Sequence, residues 1–300
     1  DMDIQISITR NGTIYLVWYD METGLTCTYS CDDGESFSEP NIITTNKLFS
    51  FSSAVCGEDL YVLYSTIENE TNIQILKLGI ISLRNGYVCV NEGNITIPKD
   101  TWNSFYPARI VSDGVVPYIF YTYSCNNTNI LSVHTTMNGF LDDIVHEIPI
   151  SKGLVNVEYY GAVYSGELIL TCSILDDIYI TKCNTTNYTP PTIAYTLAYP
   201  NRVYLRTFSL AVDNSGRILL SVLDKEPPSQ DPYSSSTYTS EICRYYLLEC
   251  NINEYSFHEN CSEMLYGYSI SDWKILADDA GIVYFFWSGI GMYHRYGRLC

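Results

Sequence analysis

The feature that most constrains this chain is a short pattern that returns six times along its 300 residues: an apolar strand, a turn ending in glycine, and a second, more strongly apolar strand. The copies read QISITRNGTIYLVWYD, SSAVCGEDLYVLYS, ARIVSDGVVPYIFYTY, GAVYSGELILTCS, SLAVDNSGRILLSVLD and KILADDAGIVYFFWSG. Their glycines, Gly12, Gly57, Gly114, Gly166, Gly216 and Gly281, are separated by 45, 57, 52, 50 and 65 residues, so each copy belongs to a unit about 50 residues long. A tight hairpin turn needs a positive φ, which glycine adopts without steric cost. The second strand is apolar at nearly every position, as in residues 14–18 and 218–223, so both of its faces must be covered. An all-β fold of four-stranded antiparallel blades packed face to face around an axis meets that demand. The expectation is one six-bladed β-propeller domain over residues 1–300, with blades at about 1–48, 49–103, 104–153, 154–203, 204–264 and 265–300. A β-sandwich is the competing fold, but its strands alternate apolar and polar residues more cleanly.

Composition agrees with strands. Charged residues make up 17% of the chain and tyrosine alone occurs 28 times, so aromatic and uncharged polar side chains replace the usual Lys/Glu surface. The net charge of −18 repels a nucleic-acid backbone and is read as a source of solubility. The apolar runs, such as residues 282–287, fall far short of the roughly 20 residues a membrane helix needs.

Eleven cysteines occur without a CxxC pair of the kind zinc sites use, so disulfides are the expected use and no metal or other cofactor is expected. Cys172 with Cys183, and Cys243 with Cys250, flank likely hairpins and are expected local bridges; Cys300 is the expected odd thiol, open to another chain. Seven Asn-X-Ser/Thr sequons begin at Asn11, Asn69, Asn94, Asn126, Asn184, Asn187 and Asn260. Together these features point to a glycosylating, oxidising compartment outside the cytosol. With no signal peptide before Asp1, the sequence is expected to be a processed or trimmed form.

After the third strand of the first blade comes SCDDGESF. Ser30, Asp32, Gly34, Ser36 and Phe37 match a turn clamp in which Ser30 and Asp32 bind turn amides, Gly34 takes a geometry a Cβ would oppose, and Phe37 tucks between blades. Partial echoes, SLRNGY from Ser82 and TTMNGF from Thr135, follow at intervals of 52 and 53 residues. The stretch resembles the Asp box (BNR repeat) of the sialidase superfamily of propellers. That resemblance implies that Asp32 is structural and lies on the face opposite an active site. A calcium loop is the rival reading of Asp32, Asp33 and Glu35, but the EF-hand ligand spacing is missing.

The same resemblance implies three arginines that hold a substrate carboxylate, an Asp acid/base, and a Tyr nucleophile activated by Glu, placed where innermost strands begin and on loops joining second to third strands. Arg109 enters the third blade in FYPARIV, Arg206 the fifth in YLRTFSL, and Glu158 with Tyr159 and Tyr160 the fourth in VEYYGAV. The second-to-third loops offer Asp20, Glu22, Asp176, Asp177, Asp224 and Glu226. The first blade opens DMDIQISI, with no arginine, and Arg10 falls at the wrong end of that strand. An incomplete triad holds a carboxylate poorly, so catalysis is not expected. The plainer roles are salt bridging at strand ends for Arg109 and Arg206, and packing between blades for Glu158 and Tyr159. His134, His146, His258 and His294 lack metal-site spacing and are expected in ordinary polar roles.

The last blade reads as three strands, near 271–277, 282–287 and 292–298, leaving an edge where another chain could add a strand. The expected protein is a secreted or surface-displayed glycoprotein that binds or assembles through propeller faces, with glycans or other protein subunits as partners. An exo-glycosidase of sialidase type, or a structural subunit of an extracellular filament or virion surface, are the alternatives.

Overall fold

A computed structural model describes residues 3–68, 73–82, 89–90, 93–96, 107–135, 143–152, 157–174, 176–197, 206–226, 242–266, 270–277, 283–289 and 298–299. These residues form six antiparallel sheets. Sheet 1 runs β1 (Asp3–Ile8), β2 (Ile14–Asp20), β3 (Gly24–Ser30), β4 (Asn41–Thr44). Sheet 2 runs β5 (Leu48–Cys56), β6 (Asp59–Glu68), β7 (Ile73–Ser82), with the short β8 (Cys89–Val90) and β9 (Gly93–Thr96) both on β7. Sheet 3 is β10 (Arg109–Ser112), β11 (Pro117–Cys125), β12 (Thr128–Thr135), β13 (Asp143–Lys152). Sheet 4 is β14 (Val157–Tyr164), β15 (Glu167–Ile174), β16 (Asp177–Cys183), β17 (Thr192–Thr196). Sheet 5 is β18 (Arg206–Val212), β19 (Arg217–Glu226), β20 (Ile242–Asn251), β21 (His258–Tyr266), and sheet 6 is β22 (Ile270–Ala277), β23 (Val283–Gly289), β24 (Arg298–Leu299).

The chain falls into two compact units. One comprises Asp1–Val155, Ser165–Leu168 and Cys183–Thr189; the other comprises Asn156–Tyr164, Ile169–Lys182 and Pro190–Cys300. In the first unit, Tyr15, Val17, Leu25 and Cys27 of sheet 1 pack on Leu60, Val62 and Tyr64 of sheet 2. The next residue over, Leu63, turns with Leu76 and Leu78 to the opposite face and meets Ile119, Tyr121 and Tyr123 of sheet 3. Val62 and Leu63 are adjacent in sequence and both wholly buried, which is why this strand is apolar without alternation. In the second unit, Ile169, Ile178 and Ile180 of sheet 4 pack on Ile218, Leu220 and Val222 of sheet 5. Each such side chain contributes about 1.5–3 kcal/mol by leaving water.

Polar stitches hold successive innermost strands in register. Gln5 Oε1 accepts the Ser53 amide at 2.7 Å, Ser52 Oγ the Ile110 amide at 3.1 Å, and, in the second unit, Ser209 Oγ the Ile275 amide at 2.9 Å. Tyrosine hydroxyls hook the first-hairpin turn of the following sheet: Tyr15 donates to Glu58 O at 3.0 Å, Tyr118 to Gly166 O at 2.7 Å, and Tyr164 to Asn214 O at 3.2 Å. The first-hairpin glycines Gly12, Gly57, Gly114, Gly166 and Gly216 all have positive φ, while Gly281 lies outside the described residues. Sheets 1, 3, 4 and 5 each carry a register shift between third and outermost strand, as between Leu247 and Leu248 opposite β21. A bulge there twists an edge away from further pairing.

The cysteine pairings require correction. Cys243 and Cys250 do not flank a hairpin: both lie on β20, paired with Lys225 and Ile218 respectively. At roughly 3.3 Å per residue the seven-residue separation far exceeds the ~7 Å Cα limit of a disulfide. Cys172 sits two residues before the end of β15 and Cys183 is the last residue of β16, so the hairpin places them at different levels, and both are free. Cys27, Cys31, Cys56, Cys125 and Cys250 are also free thiols. Burial pushes Cys172, Cys183 and Cys250 up to about 12, leaving them protonated and inert. Cys300 lies outside the described residues.

Candidate functional site

Each sheet has two ends. The innermost strand starts, and the second strand meets the third, at one end; the glycine turn and the third-to-fourth connection lie at the other. Ser30, the last residue of β3, pairs with Ile14, the first of β2, so SCDDGESF sits beside the Gly12 turn and away from Asp3 and Asp20.

At the turn end, Ser30 Oγ donates to Asp32 Oδ1 at 2.7 Å and accepts the Gly34 amide at 2.9 Å. Ser36 closes the loop, its amide donating to Asp32 Oδ1 at 2.9 Å and its hydroxyl to Oδ2 at 2.5 Å. These hydrogen bonds, the Ser36 hydroxyl foremost, lower the exposed Asp32 carboxyl to about 2. Phe37 is 44% exposed rather than tucked against a neighbouring sheet. The echoes after Ser82 and Thr135 lie outside the described residues. A second carboxylate clamp, Asp213, follows β18: its Oδ1 accepts the amides of Ser215 and Arg217, each at 2.9 Å, and its Oδ2 accepts Arg217 Nε at 2.9 Å. Asp113 Oδ1 holds the Val115 amide at 2.9 Å, while its Oδ2 reaches the Gly166 amide at 3.0 Å. Arg10 is at this end too, donating from Nη2 to Asp113 O at 3.4 Å.

At the other end, Arg109 opens β10 in the first unit, half-buried and opposite Phe120. The second unit holds the other candidates. Glu158 and Tyr159 lie on β14, with Tyr159 only 3% exposed; Tyr160 packs on the sheet 4–sheet 5 core. Arg206 opens β18 directly across the ladder from Asp224 on β19. Asp20 is engaged in its own turn, accepting the Glu22 amide at 2.6 Å, and Asp177 accepts the Thr196 hydroxyl at 2.6 Å. Among the described residues no cluster of His, Cys, Asp or Glu could hold a metal ion.

His134, expected in an ordinary polar role, lies in a buried polar cluster that the sequence did not single out. It is 2% exposed, stacks on Tyr121 at 5.4 Å between ring centres, and its Nε2 lies 3.1 Å from Ser132 Oγ and 3.2 Å from Tyr121 Oη. Its Nδ1 has no hydrogen-bond partner among the described residues. Burial pushes the imidazole down to about 4, partly opposed by the charge of Glu147. Only the i, i+2 spacing from Ser132 on one strand face hinted at the cluster. His146 donates from Nε2 to Asn184 O at 2.8 Å, His258 starts β21, and His294 lies outside the described residues.

No protein-family model matches the sequence, and a search of curated proteins gives no significant match. Solved structures do match. An alpha-L-arabinanase of Penicillium chrysogenum, solved with arabinobiose, is 11% identical at a TM-score of 0.51, over 84% of this chain and 80% of that one. A subtype N10 neuraminidase-like protein of A/little yellow-shouldered bat/Guatemala is 11% identical at 0.51, over 98% of this chain and 92% of that one. Trypanosoma rangeli sialidase, solved with 2,3-difluorosialic acid, is 11% identical at 0.51 over 98% of this chain, which spans 52% of the sialidase's length. The chain has the fold of the sialidase-like β-propellers.

Proposed function

We propose that this chain is a secreted or surface-displayed propeller of six blades, one domain over residues 1–300, that recognises glycans at the end where its innermost strands begin and does not hydrolyse sialosides. The observation that carries the reading is the placement of Arg10. It is committed to Asp113 O at the turn end, while the first innermost strand opens at Asp3, so no arginine stands where that strand begins. Arg109 opens β10 in the first unit and Arg206 opens β18 in the second, each a candidate cation for an anionic sugar at the opening of its own sheet. Tyr159, nearly buried, serves packing in this reading rather than attack on an anomeric carbon.

Working exo-glycosidase chemistry is the second reading, favoured by the pairing of Arg206 with Asp224 at the same strand end. Hydrolysis of a fluorogenic sialoside panel separates the two, with glycan-array binding run on the same protein. The proposal expects no turnover, together with binding to acidic glycans that falls at least tenfold in Arg109→Ala and in Arg206→Ala. Turnover abolished by both substitutions would establish the enzyme instead. Among the described residues no helix is long and apolar enough to cross a membrane.

A further inference from the structure

Seven sequons offer the same tripeptide chemistry, but the described ones differ in local geometry. In Asn11-Gly12-Thr13, the Thr13 amide and hydroxyl both donate to Asn11 Oδ1, at 3.1 and 3.0 Å. In Asn184-Thr185-Thr186, the Thr186 amide and hydroxyl both donate to Asn184 Oδ1, each at 2.9 Å. These are the same closed ring between residues i and i+2, joined in each case by one further local donor, the Thr9 hydroxyl on Asn11 Oδ1 and the Asn187 amide on Asn184 Oδ1. It orients the carboxamide through its oxygen and leaves Nδ2 without a hydrogen bond among the described residues. Being local, the ring needs no tertiary contact to form, so it is available to a chain that is still folding.

Of the sequons whose side chains are described, the other two lack the ring; Asn94 on β9 and Asn260 on β21 are described by their backbone alone. Asn126 and Asn127 both have positive φ, 49° and 59°, and join β11 to β12 as a two-residue hairpin turn. Thr128 is the first residue of β12, paired with Cys125, so the turn geometry and not an Asn126 side chain sets its position. Asn187 is exposed, but its Nδ2 donates to Thr186 Oγ1 at 3.2 Å, which puts the reacting nitrogen into the ring that serves Asn184.

We propose that, of these four sequons, Asn11 and Asn184 are N-glycan attachment sites and Asn126 and Asn187 stay bare. The inference rests on the secretory reading above. In the transfer, a lipid-diphosphate-linked oligosaccharide is the donor. Its anomeric carbon–oxygen bond to the diphosphate breaks, a bond from that carbon to Asn Nδ2 forms, one Nδ2 proton leaves, and the lipid diphosphate departs with the electron pair. Asn11 lies at the turn end of sheet 1 and Asn184 follows β16 at the turn end of sheet 4, so both glycans would coat the end opposite the strand openings.

The full chain, secreted from a eukaryotic cell behind an added signal peptide, tests this independently of its natural compartment. Glycopeptide mass spectrometry should find sugar at Asn11 and Asn184 and none at Asn126 or Asn187. Thr13→Ala and Thr186→Ala should each remove one glycan and leave the other. Bare Asn11 and Asn184, or equal occupancy at Asn126 or Asn187, would overturn the assignment. The secretory reading fails separately, if the protein in its natural host is found in the cytosol.

Discussion

Two carboxylates clamp turns at the same ends of their sheets, Asp32 after β3 and Asp213 after β18, with nearly the same bonds. Each accepts a serine hydroxyl, at 2.5 Å from Ser36 and 2.6 Å from Ser215, and each accepts the backbone amide four residues on, both at 2.9 Å. They differ in surroundings. Asp32 is exposed, whereas Asp213 is 4% exposed and shares its charge with Arg217 at 2.9 Å. Water can replace every partner of Asp32, whereas the Asp213 carboxylate is itself shielded from water although Ser215 and Arg217 are not. Motif strength and energetic weight are therefore different properties: the clamp that reads as a motif is the one solvent can best substitute.

Of the two clamps, the larger effect should come from Asp213→Ala. It removes the acceptor of two amides and a guanidinium nitrogen at a part-buried site, and should lower unfolding stability by roughly 1–2 kcal/mol in urea titrations. Equal losses from Asp213→Ala and Asp32→Ala would break the comparison.

Acid sharpens it by a second route. His134 is held neutral when folded, with its imidazole down at about 4, and it faces Tyr121 on its own sheet and the Glu147 carboxylate on β13. The unfolded chain binds a proton near 6.5 and the folded chain does not, so stability falls as pH drops from about 6.5 towards 4, by roughly 3 kcal/mol at most. Asp213 behaves differently. Its hydrogen bonds with Ser215 and Arg217 hold its carboxyl low against the opposing effect of burial, so its contribution is present above the ordinary Asp range and is lost only below it. Wild type and Asp213→Ala should therefore run parallel from pH 6.5 to 4 and converge below, while His134→Phe should flatten the upper window. A His134→Phe protein with an unchanged slope there would remove His134 from the account.

The contrast also marks how far the sequence could be read. The turn glycines and the doubly buried second strands were legible because each is a backbone or solvation demand that a single residue type must meet. Val62 beside Leu63 is the same signal seen from inside. Asp213 was not legible as a clamp, since DNSGR differs from SCDDGESF in every spacing that defines the latter. Cys243 and Cys250 misled because a separation of seven positions fits a hairpin as well as a strand, and only the ladder from Arg217 to Glu226 decides between them. The serine stitches of Ser52 and Ser209 carry no composition signal at all, since their partners lie 58 and 66 residues away. Of the candidate site, the strand openings at Arg109 and Arg206 were found by register with the repeat, whereas the capture of Arg10 by Asp113 O depends on a partner 103 residues away.

The smallest effects test the turns themselves. Gly34 and Gly216 both hold φ near +80 to +90°, a region where a Cβ costs about 1 kcal/mol. A Cβ at Gly216 would also press on Ile252 Cγ2 at 3.0 Å, whereas at Gly34 the nearest atom, Ile14 Cδ1, is 3.6 Å away. Gly216→Ala should therefore lower the thermal midpoint more than Gly34→Ala, and Asp32→Ala should lower it least of all. The order matters more than the sizes. If Asp32→Ala exceeded Gly34→Ala, the exposed carboxylate would be holding the turn against something stronger than water competition. The exposed loop would then have to be treated as a structural element in its own right.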